Sequence, residues 1–347
     1  MLSSFSQNAI LAKIKAMYGK RITPAQYNDM LHKLSIPELA SYLKNNTHYR
    51  DVMESVNTAT IHRGQLETII KKDLYQSILR LGRYLPGKRE QYMQFFVGQL
   101  EIEQLVMCVG QFDLEGETEL VSDIPGFLIP LLSFDVMALA TVETPRQLLS
   151  LLEGGPYYKT VEPFVQSENK EFDVAGCTRA LRQQYYDNLF AGIDSEYKGR
   201  TRQEMRDIIS TNVELFNITN IYRLKVFFHY EPEKIRPLLI KNPGSRISER
   251  FMEALIQAPD GDRFTQLISQ SKYKNYFDQN DFLYIEYHTS YIKYNLNRRH
   301  ISFATKAPTA FLAFLILGGI EGENLTHIIE GIRYGVAPED IQKLLII

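Results

Sequence analysis

Acidic and amide side chains recurring at helical spacing are the residues of this sequence with the most chemistry to offer. Ile320-Glu321-Gly322-Glu323-Asn324-Leu325 sits inside an apolar stretch, Phe311 to Tyr334, that reads as a helix. A weaker copy is Leu215-Phe216-Asn217-Ile218-Thr219-Asn220-Ile221, and a weaker one still is Leu100-Glu101-Ile102-Glu103-Gln104-Leu105. In each, a polar residue is followed three positions later by an amide and then by an aliphatic. The pairs are Glu321/Asn324, Asn217/Asn220 and Glu101/Gln104, and at i and i+3 both members share one helix face. Carboxylates so placed could do acid–base work. Beside amides on a helix, they read instead as solvated or capping groups.

Other reactive patterns fall short of a site. Gly82-Arg83-Tyr84-Leu85-Pro86-Gly87-Lys88 has the glycine and lysine spacing of a phosphate loop. Arg89 stands where Ser or Thr must meet magnesium, and no strand pattern precedes it, so the stretch reads as a helix end and a proline turn. The 7 histidines form no His-x₃-His pair and no His-Glu-x-x-His motif, and no nucleophile elbow occurs. Cys108 and Cys177 lack metal-ligand spacing and read as buried thiols of a reducing compartment. No catalytic residue, metal or cofactor is expected.

Tyrosine is abundant, at 21, and Trp is absent. Tyr157-Tyr158, Tyr185-Tyr186 and the set Tyr284, Tyr287, Tyr291, Tyr294 could stack on bases. With 39 Lys+Arg against 41 Asp+Glu, the chain lacks the basic excess that nucleic-acid binding needs. The tyrosines therefore read as core and partner contacts, with neither nucleic acid nor a small-molecule substrate expected.

The elements that must position these residues are helices. Ile10, Ile14 and Met17 mark an amphipathic helix over Gln7 to Tyr18. Thr23-Pro24-Ala25-Gln26, Ser35-Ile36-Pro37-Glu38, Thr144-Pro145-Arg146-Gln147 and Thr201-Arg202-Gln203-Glu204 read as capped helix starts. Tyrosines at three and four make Phe282 to Tyr294 a helix begun by Asp281. Gly335 ends one helix, and Pro338, Glu339 and Asp340 open the next. Strand signals are poor, so the fold class is all-α.

A longer repeat is also visible. Leu43, Leu152 and Ile268 close apolar helix ends, each followed by a breaker cluster and then Tyr49, Tyr158 or Tyr273. Arg21-Ile22-Thr23 matches Arg246-Ile247-Ser248. With breaks at Gly110 to Gly126 and at Glu231 to Gly244, the expected domains are residues 1–115, 116–230 and 231–347. The apolar runs Ile124 to Val142 and Thr309 to Ile320 are too interrupted or too short to cross a bilayer. The start, Met1 to Phe5, has no signal-peptide pattern.

Four stretches resemble one family: Tyr18-Gly19-Lys20-Arg21-Ile22, Leu151 to Tyr158, Asn217 to Lys225, and Glu321 to Leu325 followed by Gly335 to Ile341. The chain is similar over essentially its whole length to the C subunits of V/A-type rotary ATPases, whose eukaryotic counterpart is the d subunit. Relatives usually carry arginine directly after the amide–aliphatic pair; Val106, Tyr222 and Thr326 stand there instead, with Arg223 one step on. The resemblance implies three similar helical bundles around a pseudo-threefold axis, shaped as a funnel. It implies a non-catalytic, peripheral protein on the cytoplasmic face of the membrane, without a transmembrane segment. Its partners would be the central-stalk subunits of D and F type and the membrane rotor ring of proteolipid subunits. On that reading Glu101, Gln104, Asn217, Asn220, Arg223, Glu321 and Asn324 line the central cavity and bind a partner. The competing reading is that Gln104, Asn220 and Asn324 hold loop backbones inside each bundle. The alternatives to a rotary-ATPase subunit are a helical-repeat adaptor unrelated to ATPases and a nucleotide-binding enzyme at Gly82 to Lys88.

Overall fold

The computed structural model describes residues 4–84, 94–113, 124–165, 172–276 and 284–347. Among them every regular element is helical and no strand occurs, as the missing strand signals require. The residues divide into two units, Met1–Arg89 with Phe282–Ile347, and Glu90–Asp281.

The first unit opens with α1 (Ser4–Tyr18), where Ile10 and Ile14 turn inward and Lys15 donates to the Ser302 carbonyl. The helix α2 (Pro24–Leu31) starts on a complete capping box, Thr23 and Gln26 each accepting the other's backbone N–H. Ser35 caps α3 (Ile36–Asn46), whose Leu39 and Leu43 lie one turn apart and are fully buried. His62 caps the long α4 (Arg63–Gly82).

In the second unit a π-helical turn at Gln94–Gly98 leads into α5 (Gln99–Gln111). Asp135 caps the short α6 (Val136–Leu139), and Thr144 with Gln147 forms a second complete box at α7 (Pro145–Leu151). Then come α8 (Tyr158–Val165), α9 (Val174–Glu196) and α10 (Gly199–Val226). The expected start at Thr201-Arg202-Gln203-Glu204 is corrected: these residues lie within the opening turns of α10, and Lys198 is its N-cap, without a side-chain bond. Thr, Gln and Glu are all tolerated inside helices, so box-like spacing alone does not make a terminus. After α11 (Pro232–Ile235), Ser248 caps α12 (Glu249–Gln257) and Asp260 caps α13 (Gly261–Ile268).

The chain returns to the first unit with α14 (Ile285–Phe303), α15 (Ala307–Tyr334) and α16 (Pro338–Leu344). Asp281 lies outside the described residues, and Tyr284 takes the N-cap position of α14. The helices α14 and α15 pack along each other. Gly335 ends α15 in the left-handed conformation, φ 63°, that glycine adopts most easily. Pro338 opens α16, with Glu339 and Asp340 in its first turn. Among the described residues α15 alone is long and apolar enough to cross a membrane, but 61% of its most apolar window is buried inside the protein.

One set of positions recurs three times. Capping residues at Thr23, Asp135 and Ser248 are followed by capping residues at Ser35, Thr144 and Asp260. Four positions after the second cap stand Leu39, Leu148 and Phe264, each 0% exposed. A buried tyrosine follows each pair: Tyr49, Tyr157 or Tyr273. In the first unit these residues pack with Leu325, Ile328 and Ile329 of α15. In the second, Leu148, Leu152 and Tyr157 join Ile102, Leu105 and the two cysteines. Both thiols are free and buried, and burial raises each to about 12. Fully burying one such aliphatic stabilises by about 1.5–3 kcal/mol.

Of the expected break at Gly110 to Gly126, residues 114–123 lie outside the described part, and Gly110 and Gln111 still belong to α5. The break at Glu231 to Gly244 contains α11 and a 3-10 turn at Arg236–Leu238.

Candidate functional site

Three long helices, α5, α10 and α15, each carry a buried glutamate and, three positions on, a buried amide: Glu101 and Gln104, Glu214 and Asn217, Glu321 and Asn324. The next residue is Leu105, Ile218 or Leu325, each 0% exposed. The helical spacing keeps carboxylate and amide on one side while the aliphatic enters the core.

Every one of these glutamates accepts from one backbone N–H and one tyrosine hydroxyl. Glu101 takes the Ser133 N–H at 2.5 Å and the Tyr157 hydroxyl at 2.7 Å. Glu214 takes the Arg246 N–H at 2.6 Å and the Tyr273 hydroxyl at 2.6 Å. Glu321 takes the Ile22 N–H at 3.0 Å and the Tyr49 hydroxyl at 3.3 Å. In each case the N–H lies one or two residues ahead of the cap that starts the helix pair, and the tyrosine follows the pair. One carboxylate therefore fastens both ends of a helical hairpin to a long helix.

The amides add a second fastening. Asn217 donates to the Ile240 carbonyl at 2.8 Å and accepts the Ile240 N–H at 2.9 Å. Asn324 does the same to Ile346, at 2.8 and 2.9 Å, and also reaches the Tyr27 hydroxyl. A primary amide has one donor and one acceptor face, so it satisfies both groups of one peptide residue away from water. Gln104 is buried at the matching place.

The three carboxylates differ in their neighbours, and one difference is the residue before the tyrosine. Lys272 reaches Glu214 at 2.5 Å. His48 Nε2 stands 3.4 Å from Glu321 and 3.5 Å from Asp73. Pro156 fills that position ahead of Tyr157. Arg21 also lies 3.4 Å from Glu321, donates to the Leu317 and Phe314 carbonyls and covers the Phe314 ring. Gly318 makes room for it: a Cβ there would fall 2.6 Å from Arg21 Nη2 and collide with Leu74.

Burial acts most strongly on the Glu214 carboxyl and pushes it up. Bonds from Lys272, Tyr273 and the Arg246 N–H, with the lysine charge, outweigh burial and hold the group below its ordinary 4.5. Tyr49, Tyr157 and Tyr273 are driven far above 10, first by burial and then by the adjacent glutamate charge. Each stays a neutral donor at any physiological pH. Burial likewise raises Asp73, against the opposing pull of His48.

These contacts correct two registers. The middle pair expected at Asn217/Asn220 is Glu214/Asn217, one helical step earlier. Asn217 fits both spacings in sequence, and only its bonds to Ile240 decide. The middle tyrosine is Tyr157 rather than Tyr158. Tyr157 and Tyr273 each dock on the glutamate helix preceding them in the chain, and Tyr49, with none before it, docks on the last. The hydrogen bonds join Glu101 to Tyr157, and Glu214 to Tyr273, across positions 115/116 and 230/231 where domain boundaries were expected.

Of the seven candidate residues, Glu101, Gln104, Asn217, Glu321 and Asn324 are buried, and the hydrogen bonds of Glu101, Asn217, Glu321 and Asn324 described above stay inside their own unit. Asn220 is half-buried and Arg223 is exposed. Sequence reasoning overlooked Glu214, took Tyr157 only for a core or partner contact, and gave Lys272 and His48 no part in a site. Glu-x-x-amide-aliphatic, common to positions 101, 214 and 321, is the signal that finds the first of them. Arg83 and Tyr84 follow the end of α4, and residues 85–88 of the phosphate-loop-like stretch lie outside the described part. Among the described residues no cluster of His, Cys, Asp and Glu could hold a metal ion.

The sequence is related to proteins of known name along most of its length. It is 23% identical over 266 residues to the C subunit of the A-type ATP synthase of Methanosphaera stadtmanae, a match covering 76% of this chain and 65% of that protein. With the C subunit of the Methanosarcina mazei A-type ATP synthase it shares 22% over 351 residues, covering 97% and 92%. With that of Methanocaldococcus jannaschii it shares 19% over 350 residues, covering 96% and 85%. The first of these matches thus spans just under two thirds of its relative's length. The sequence pattern of the ATP synthase (C/AC39) subunit family matches residues 10–344, and the chain belongs to that family.

Proposed function

We propose that this chain is the non-catalytic subunit of a rotary V/A-type ATPase that joins the central stalk to the membrane rotor ring. The observation carrying this reading is the family match over residues 10–344, together with relatives named as the C subunit of A-type ATP synthases. That match also sets aside an adaptor unrelated to ATPases. The chain sits as a peripheral protein on the cytoplasmic face, with the stalk's D- and F-type subunits on one side and the proteolipid ring on the other.

The geometry suits a part that passes torque. Such a part must not shear internally; close-packed helices transmit strain, and a carboxylate that fastens both ends of a hairpin adds a directional tie to that packing. The clamp occurring three times supports three like modules, each a glutamate helix with the hairpin docked on it, arranged around a hollow as a funnel. Within that arrangement the buried candidate residues hold the modules together. Asn220 and Arg223, with accessible surface at the end of α10, are the two placed to meet a partner.

The test is assembly from purified parts. The chain should co-elute with the detergent-solubilised ring and, separately, with the stalk pair, and it should be required for ring and stalk to elute together. Co-elution of ring and stalk without it, or failure to bind either, refutes the proposal.

A further inference from the structure

The first unit contains a pocket that the clamps leave unused. It has a volume of about 670 Å³ and opens between α1, the 3-10 turn at His48–Arg50 and the last turns of α4. Small-molecule sites have this size. Lys13 enters from α1, Lys20 from the turn that follows it, Arg50 from the 3-10 turn, and Arg80 and Arg83 from the end of α4, against Asp51 and Asp73. On a chain of net charge −2 this is a local concentration of positive charge.

That charge is compensated only in part. Asp73 lies 3.5 Å from His48 and also feels the Arg80 charge. Arg50 donates to the Asn45 carbonyl, and Arg80 to the Gln76 carbonyl and the Ser77 hydroxyl, all of them uncharged acceptors. The side chains of Lys13, Lys20 and Arg83 make no hydrogen bond or ion pair among the described residues. Cations gathered in a concave wall repel one another and focus a field that a multivalent anion relieves. Guanidinium forks match phosphate oxygens, and ammonium groups add charge without demanding geometry. Of the lining residues, Ser77 and Leu81 are buried and Tyr84 is exposed.

We propose that this pocket binds a phosphate-bearing anion of two or more negative charges, taken free from solution or as the headgroup of an acidic lipid. Arg83 and Tyr84 belong to the stretch that imitates a phosphate loop, but they follow a helix C-terminus. Recognition here is by side-chain charge, with neither a backbone cradle nor magnesium.

Calorimetry on the full chain with tripolyphosphate tests the proposal, with K13E/R83E as the variant and K343E as the charge control on α16. Binding should be to one site, weaken with added salt, fall about tenfold or more in K13E/R83E and persist in K343E. Sedimentation with phosphatidylcholine vesicles, with and without phosphatidic acid, identifies the source. Binding to the acidic vesicles that K13E/R83E loses assigns a lipid headgroup, and capture of tripolyphosphate alone assigns a free ligand. A thermal melt checks that the double variant folds; if it does not, K20Q replaces it. Neither probe binding, or both binding the folded variant as tightly as the parent chain, overturns the proposal.

Discussion

Asn217 spans the N–H and the carbonyl of Ile240 with the two ends of its amide, and Asn324 does the same to Ile346. Removing either amide strands two backbone groups in the interior. Asn217→Ala is therefore expected to cost about 1–3 kcal/mol in denaturant titration. Asn220→Ala, half-buried one turn on, should stay within about 0.5 kcal/mol. Equal losses at the two sites would return the repeat to its other register. The Glu214 carboxyl gives a pH signature. Its folded pKa lies below the unfolded 4.5, so its contribution is complete above 4.5 and is lost as pH falls through the lowered value. The stability gap between the parent chain and Glu214→Gln should shrink as pH is taken from about 5 to about 3. A gap independent of pH would show that the lysine and tyrosine bonds do not hold the charged form.

At the scale of elements, local rules decide where helices start. Thr23 with Gln26 and Thr144 with Gln147 are readable because a capping box is complete within four residues. Thr144→Ala should lower stability by about 1 kcal/mol, seen as a lower melting temperature. The clamps were only half readable for a related reason. Spacing along a helix is local, whereas the partner that selects one spacing over its neighbour comes from elsewhere. Ile240 lies 23 residues beyond Asn217, and Tyr49 lies 272 residues before Glu321. Close approach between elements is equally invisible in sequence. Gly318 lets Arg21 and Leu74 lie against α15, so Gly318→Ala is expected to cost about 1–3 kcal/mol by forcing them apart. An unchanged denaturation midpoint would mean both side chains move aside freely.

Over the whole molecule, all-α character and family membership were legible, because composition, helix punctuation and long motifs do not depend on contacts. Which hairpin binds which helix was not: Tyr157 and Tyr273 bond to glutamates of the helices before them, across the boundaries expected between equal thirds of the sequence, while Tyr49 bonds to Glu321 of a helix after it. In the first unit the two segments that build it are tied together through Ile22, Tyr49 and Glu321. The proposed role is to carry load between stalk and ring. ATP-driven ion uptake tests that directly, in vesicles rebuilt from ring, stator, stalk and head with and without this chain. The account predicts that hydrolysis continues without the chain while uptake is lost, and that adding the chain restores uptake. Full uptake in its absence would contradict the account.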